Sequence, residues 1–108
     1  MFSNLKTPSV SKARKMSEKG SSRRTQTVIN DCIRTINRYI EVATEEGTYS
    51  THTWFNNKSG YLTEAAFDKV VKHFTQLGYK VKVKIFPPQD PQYNSIEFQI
   101  SVNWEKED

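Results

Sequence analysis

The spacing of apolar residues changes several times along this chain, and each change marks an expected element. After Thr25, apolar residues recur every three or four positions, which is typical of a helix with one buried side. They are Ile29, Cys32, Ile33, Ile36, Tyr39, Ile40 and Ala43. A second stripe follows the N-cap candidate Thr63 and consists of Phe67, Val70, Val71, Phe74 and Leu77. Gly47 and Gly78 follow the two stripes and suit helix ends, so the pattern predicts two amphipathic helices.

Three other segments have the composition or the period of β-strands. Residues 48–55 are mostly β-branched or aromatic, but Tyr49, Thr51, Thr53 and Phe55 compete with His52 and Trp54 for the buried face. Residues 79–86 and 96–104 alternate apolar with polar side chains. The expected fold is α+β in the order α-β-α-β-β, with an antiparallel C-terminal hairpin. Its three-stranded sheet would be covered on one face by the two helices.

The first 24 residues differ from the rest in charge. They hold seven Lys and Arg residues against the single acid Glu18, whereas residues 25–108 are slightly acidic. With few apolar residues, this segment is expected to be a basic arm that is flexible or docked on a partner, followed by one domain over 25–108. A short helix over 11–19 would begin at Ser11 and end at Gly20. The predicted partner-binding residues are Lys6, Lys12, Arg14, Lys15, Lys19, Arg23 and Arg24.

The lysines of the strand at 79–86 have two explanations. Lys80, Lys82 and Lys84 alternate with aliphatic residues, so they are expected on the wet side of the strand, where they also discourage edge-to-edge association. The alternative is a nucleic-acid-binding surface, which needs exposed aromatic residues for base stacking. Trp54 and Tyr61 are the candidate stacking residues, whereas the negative charge of Glu97 would repel phosphate. The three lysines, Trp54 and Tyr61 form a predicted secondary surface.

Motifs that would indicate catalysis are missing from the sequence. His52 and His73 have no acidic or thiol partner at ligand spacing, and Cys32 lies on an apolar stripe, where it is expected to behave as a small hydrophobic residue. No phosphate-binding glycine motif occurs. We therefore expect no catalytic residue, no metal, no cofactor and no small-molecule substrate. The lone cysteine and the lack of a long apolar run predict a soluble, cytoplasmic protein without a membrane segment.

Four stretches together resemble a type of small tailed-bacteriophage protein: SKARKMSEK, EEGTYS, QLGYKVKV and FQISVNW. In that type a helix ends in Gly-Tyr and runs into a strand, and the last strand ends in an Ile-Ser-x-Trp-like signature. Here the ending has one extra residue between Ser101 and Trp104. The resemblance implies a viral protein with a binding or structural role, acting in the host cytoplasm or in the virion.

Two functions follow as expectations. In the first, the protein is a non-enzymatic accessory protein whose basic arm engages an acidic macromolecule: nucleic acid, a nucleoprotein or a host protein that it modulates. In the second, it is a structural component of a virion, a homo-oligomer or another assembly, and the arm docks on a neighbouring subunit.

Overall fold

A computed structural model describes residues 7–88 and 95–106. Two helices and three strands follow one another along the chain in the order α1 (Val10–Glu45), β1 (Ser50–Asn56), α2 (Glu64–Gln76), β2 (Lys80–Phe86) and β3 (Glu97–Asn103). The three strands form one open antiparallel sheet. The predicted α+β class, with two helices and a three-stranded sheet, is therefore confirmed, and all three strands are antiparallel to their neighbours.

Helix α1 is much longer than the sequence pattern predicted. It begins after Ser9, whose hydroxyl accepts a 3.2 Å hydrogen bond from the backbone N–H of Lys12, and it continues for 36 residues. Residues 11–19 are helical, but they belong to this longer helix, so the predicted start at Ser11 and end at Gly20 are wrong. A glycine inside a helix costs only about 1 kcal/mol relative to alanine, and good helix formers such as Ala13, Met16 and Lys19 precede it. The helix also crosses residue 24, where the arm was expected to end.

Helix α2 matches its sequence signals closely. The Thr63 hydroxyl accepts a hydrogen bond from the backbone N–H of Ala66 at 3.1 Å, and Glu64 lies in the first turn. Gly78 has a φ of 99°, a left-handed conformation that a glycine adopts easily after a helix end. One residue of the predicted stripe differs, because the helix ends at Gln76 and Leu77 caps it with 66% of its surface exposed.

The sheet has the strand order β1-β3-β2, so β3 lies in the centre and pairs antiparallel with both neighbours. In register, Thr53, Ile100 and Val83 lie side by side on the face that the helices cover. Phe55, Phe98 and Ile85 form the next row on that face. The connection between β2 and β3 includes residues 89–94, which lie outside the described residues.

The core lies between the sheet and the two helices. Buried residues from α1, α2 and β3 form one cluster, and Val81, Val83 and Phe55 pack against it while half-buried. Its largest fully buried side chains are Phe74, Phe98, Ile36, Ile100, Val70 and Val102. Besides Leu77, two expected core residues are exposed instead, Tyr39 on α1 and Ile85 near the end of the edge strand β2. The helices thus cover one face of the sheet and leave the other, called here the open face, exposed.

Candidate functional site

The N-terminal part of α1, residues 10–24, is called here the helical extension. Each of its residues is exposed or half-buried, and the buried residues of α1 begin only at Ile29. It holds six of the seven predicted partner-binding residues, while Lys6 lies outside the described residues. Residues 10–24 are helical. The expectation that the arm is flexible or docked on a partner stays a prediction.

A continuous helix sorts the cations of the extension by side. Lys12, Lys15, Lys19 and Arg23 follow one another at spacings of three, four and four residues, which places them on one side of the helix. These four residues are called the basic stripe. Glu18 lies about 100° around the axis from Lys19 but only about 60° from Lys15, three residues before it, so this one acid borders the stripe. Arg14 lies on a different side from the stripe.

Arg24, the sixth cation, leans on the body of the protein. Its guanidinium carbon lies 5.8 Å from the centre of the Tyr61 ring, within the range of a cation–π contact. Tyr61 stands in the connection between β1 and α2, away from the open face. Its ring faces the helical extension and is not in a row with the lysines of β2, and a role for Tyr61 in the secondary surface stays a prediction.

Beyond the extension, the basic stripe leads into a groove between α1 and α2. Gln26, Asn30 and Arg34 continue the same spacing along α1 and line one wall of the groove. Lys69, Lys72, His73 and Gln76 of α2 line the other wall. Two of these cations have exposed acidic neighbours, Arg34 with Asp31 at 3.0 Å and Lys72 with Asp68 at 3.1 Å. From Lys12 to Arg34 the stripe and the groove together extend about 33 Å along the helix axis.

The open face of the sheet carries the remaining predicted residues. Side chains of one parity point to it, so Trp54 of β1 lies in register with Gln99 of β3 and Lys84 of β2. His52, Ser101 and Lys82 form the next row, and Ser50, Asn103 and Lys80 the one after it. Trp54 is 50% exposed, as the secondary surface requires.

Sequence analysis missed one aromatic residue of this face, Phe86. Its ring centre lies 5.2 Å from that of Trp54, across the central strand, with an angle of 34° between the planes. The signal was present in the sequence, because Phe86 has the same parity as the three lysines of β2. Lys80, Lys82 and Lys106, together with the acid Glu105, border a shallow depression at the other end of this face.

His52, His73 and Cys32, the residues considered for catalysis, lie on three different elements of the fold. His52 is exposed on the open face, and His73 lies on α2 with its ring edge against Phe74. Cys32 is buried in the core, where burial, and to a lesser extent the charge of Asp31, raises the pKa of its thiol to about 11. Within residues 7–88 and 95–106, no three His, Cys, Asp or Glu side chains are grouped as a metal ion would need. Neither described helix is long and apolar enough to cross a membrane.

Comparison of this chain with protein-family models, with curated proteins and with solved structures found no match. The resemblance to small bacteriophage proteins therefore stays a prediction.

Proposed function

We propose that this protein is a non-enzymatic nucleic-acid-binding protein that contacts the phosphate backbone through the basic stripe. The carrying observation is the position of Lys12, Lys15, Lys19 and Arg23 on one exposed side of a continuous helix. A straight row of cations suits a linear polyanion, whose phosphates repeat regularly along its length. Neutralising them releases condensed counterions, which drives binding without any sequence preference.

The groove between the helices extends this contact. Gln26 and Asn30 add amide groups that can donate hydrogen bonds to phosphate oxygens, and Lys69 supplies a further exposed cation. The ion pairs of Arg34 and Lys72 are exposed and are worth little, about 0–1 kcal/mol each, so a phosphate can compete for both cations. The contact is therefore expected to extend from the extension toward α2.

The test is the affinity for a fluorescein-labelled 20-base-pair DNA duplex, measured by anisotropy between 50 and 200 mM salt. The stripe variant replaces Lys12, Lys15 and Lys19 by Gln, which keeps the helix propensity and removes three charges. Its slope of log affinity against log salt should be shallower than that of the wild type by about 2.7, at about 0.9 for each lost phosphate contact.

A matched control removes three cations from other exposed positions, Arg14, Arg38 and Lys58, again by Gln. It lowers the net charge equally and should retain most of the affinity. Equal losses in the two variants would show that only net charge matters, and an unchanged stripe variant would place the contact elsewhere. Binding to an acidic protein with no measurable affinity for the duplex would also overturn the proposal.

A second candidate is a structural role in a virion or another assembly, favoured by exposed apolar side chains of the extension. Val10 is 67% exposed and Met16 42%. They are six residues apart, about 120° around the helix axis, and Met16 lies next to Lys12 and Lys19 of the basic stripe. A neighbouring subunit that packs on Met16 would therefore also cover part of the stripe. Light scattering of wild type against a Val10→Asp, Met16→Asp variant tests it, because a subunit contact here predicts an oligomer that the variant loses.

A further inference from the structure

The open face holds an aromatic pair that the core does not need. Trp54 and Phe86 come from the two edge strands and meet across β3 on the side of the sheet away from both helices. The Trp54 and Phe86 rings contact each other at a tilted angle, and half of the Trp54 surface remains exposed. Large exposed aromatic rings on a sheet are suited to stacking on the flat faces of bases.

Charge on this face is distributed unevenly among the strands. Lys82 and Lys84 are exposed on β2, while the outward side chains of β3 are Glu97, Gln99, Ser101 and Asn103. Alternate residues of a strand are about 6.6–7 Å apart, so the lysines form a regular row along one edge of the sheet. A polyanionic backbone is therefore attracted to β2 and repelled from the Glu97 end of β3.

We propose that the open face binds a single-stranded nucleic acid, with its phosphates along Lys82 and Lys84 and a base stacked on Trp54. In this arrangement the bases point from β2 toward β1 and cross Gln99 and Ser101. The amide and hydroxyl of these two residues can donate to or accept from base edges without selecting one base. Lys106 borders the depression at the far end and can meet a further phosphate. This proposal does not depend on the basic stripe, which lies on a helix.

A double-stranded ligand does not fit the same description. Paired bases are stacked inside a duplex and cannot lie flat on Trp54 unless the strand is unpaired. The open face and the basic stripe thus predict different ligand preferences, which one set of binding measurements can separate.

The experiment uses the full chain and a fluorescein-labelled thymidine 20-mer, with affinity measured by anisotropy. Trp54→Ala should bind the 20-mer about 5- to 150-fold more weakly, which is the range found for losing one stacked base. Trp54→Phe should recover most of that loss because it restores a ring. Lys82→Gln with Lys84→Gln should make the salt slope shallower by about 1.4, at about 0.7 for each contact with a single strand.

Tyr49→Ala is the matched control, since Tyr49 is an aromatic residue of similar exposure, 57%, just outside β1. Urea unfolding of each variant checks that the fold is retained. An unchanged affinity of folded Trp54→Ala for the 20-mer, or an equal loss in Tyr49→Ala, would overturn the proposal. A dimer that dissociates in Trp54→Ala while 20-mer binding is unaffected would also overturn it and assign the face to a second copy. The proposed duplex contact fails separately, if the Lys12, Lys15 and Lys19 variant keeps its duplex affinity.

Discussion

Cys32 is the residue whose chemistry is changed most by its surroundings. Its spacing within the apolar stripe predicted a small buried side chain, and the structure places it in the core with 4% of its surface exposed. Burial disfavours the thiolate, and the neighbouring carboxylate of Asp31 adds to that effect, so the pKa rises from 9.0 to about 11. The nucleophilic form of the thiol is therefore scarce at neutral pH.

This pKa predicts a pH dependence of stability. Below pH 9 the thiol is protonated in the folded and the unfolded chain, so its contribution to stability is fully present. Between pH 9 and about 11 the unfolded chain releases the proton first, so the free energy of unfolding falls as the pH rises. Urea unfolding of wild type and Cys32→Ala at pH 8 and pH 10 measures the effect, because the other titrating groups are shared. The advantage of the wild type should shrink at pH 10, and a constant difference would contradict the prediction.

Residues on the strands show where sequence reasoning stops. The alternation of β3 identified Phe98, Ile100 and Val102 as buried, since a central strand has a strongly apolar side. The buried face of β1 could not be predicted, because both sides of this strand carry β-branched or aromatic residues: Thr51 and Thr53 lie on one side and Trp54 on the other. The pairing of Thr51 with Val102 and of Thr53 with Ile100 decides it, and such pairing depends on another part of the chain.

Helix α1 shows the same limit for a whole element. Its period predicted the half after Thr25, where apolar packing stabilises it, and the extension was predicted only as an arm with a short helix. Gly20 suits a helix end by its residue type, but it lies inside α1. The strand order β1-β3-β2 also depends on contacts between distant segments. The sequence pattern therefore predicted three strands and the pairing of the last two, but not the position of β1.

Gly20 provides a test of the extension as a helix. A Cβ added there would meet no atom within 4 Å, so alanine fits without strain. Gly20→Ala should stabilise the extension by about 0.5–1 kcal/mol, which slows amide hydrogen exchange in residues 14–24 about two- to fivefold. Gly78→Ala is the contrast, because its φ of 99° strains any other residue and should lower the melting temperature. Unchanged exchange in Gly20→Ala would show that the extension is not helical in solution.

In the whole molecule, the residues that form the core differ from the basic stripe proposed to contact a duplex. The core uses residues from Val28 onward, whereas the extension adds charge and one contact between Arg24 and Tyr61. Such a contact is worth about 0.5–1 kcal/mol at an exposed site. The two proposed surfaces also lie in different layers, one on the helices and one on the far side of the sheet.

Deletion of residues 1–24 should therefore leave a cooperatively folded protein that has lost duplex affinity. Urea unfolding should remain a single transition, with stability reduced by about 1 kcal/mol or less, since none of the described residues from 7 to 24 is buried. Deletion of residues 1–34 is the control, because it also removes the buried side chains of Ile29 and Cys32 and should abolish folding. Loss of folding in the shorter deletion would mean that the extension is structural. Undiminished duplex binding would remove the basic stripe from the proposed function.

The unbroken course of α1 also fixes an angle between two sets of residues that never touch. The basic stripe and the buried stripe from Ile29 lie on the same rod, so their relative direction depends on how many residues separate them. One inserted residue between Arg24 and Val28 would rotate the stripe by about 100° relative to the core, with no charge changed. Seven inserted residues, about two turns, would nearly restore the original direction. The proposed contact therefore depends on the number of residues between Arg24 and Val28 as well as on the lysines, because that number sets the direction of the stripe relative to the core.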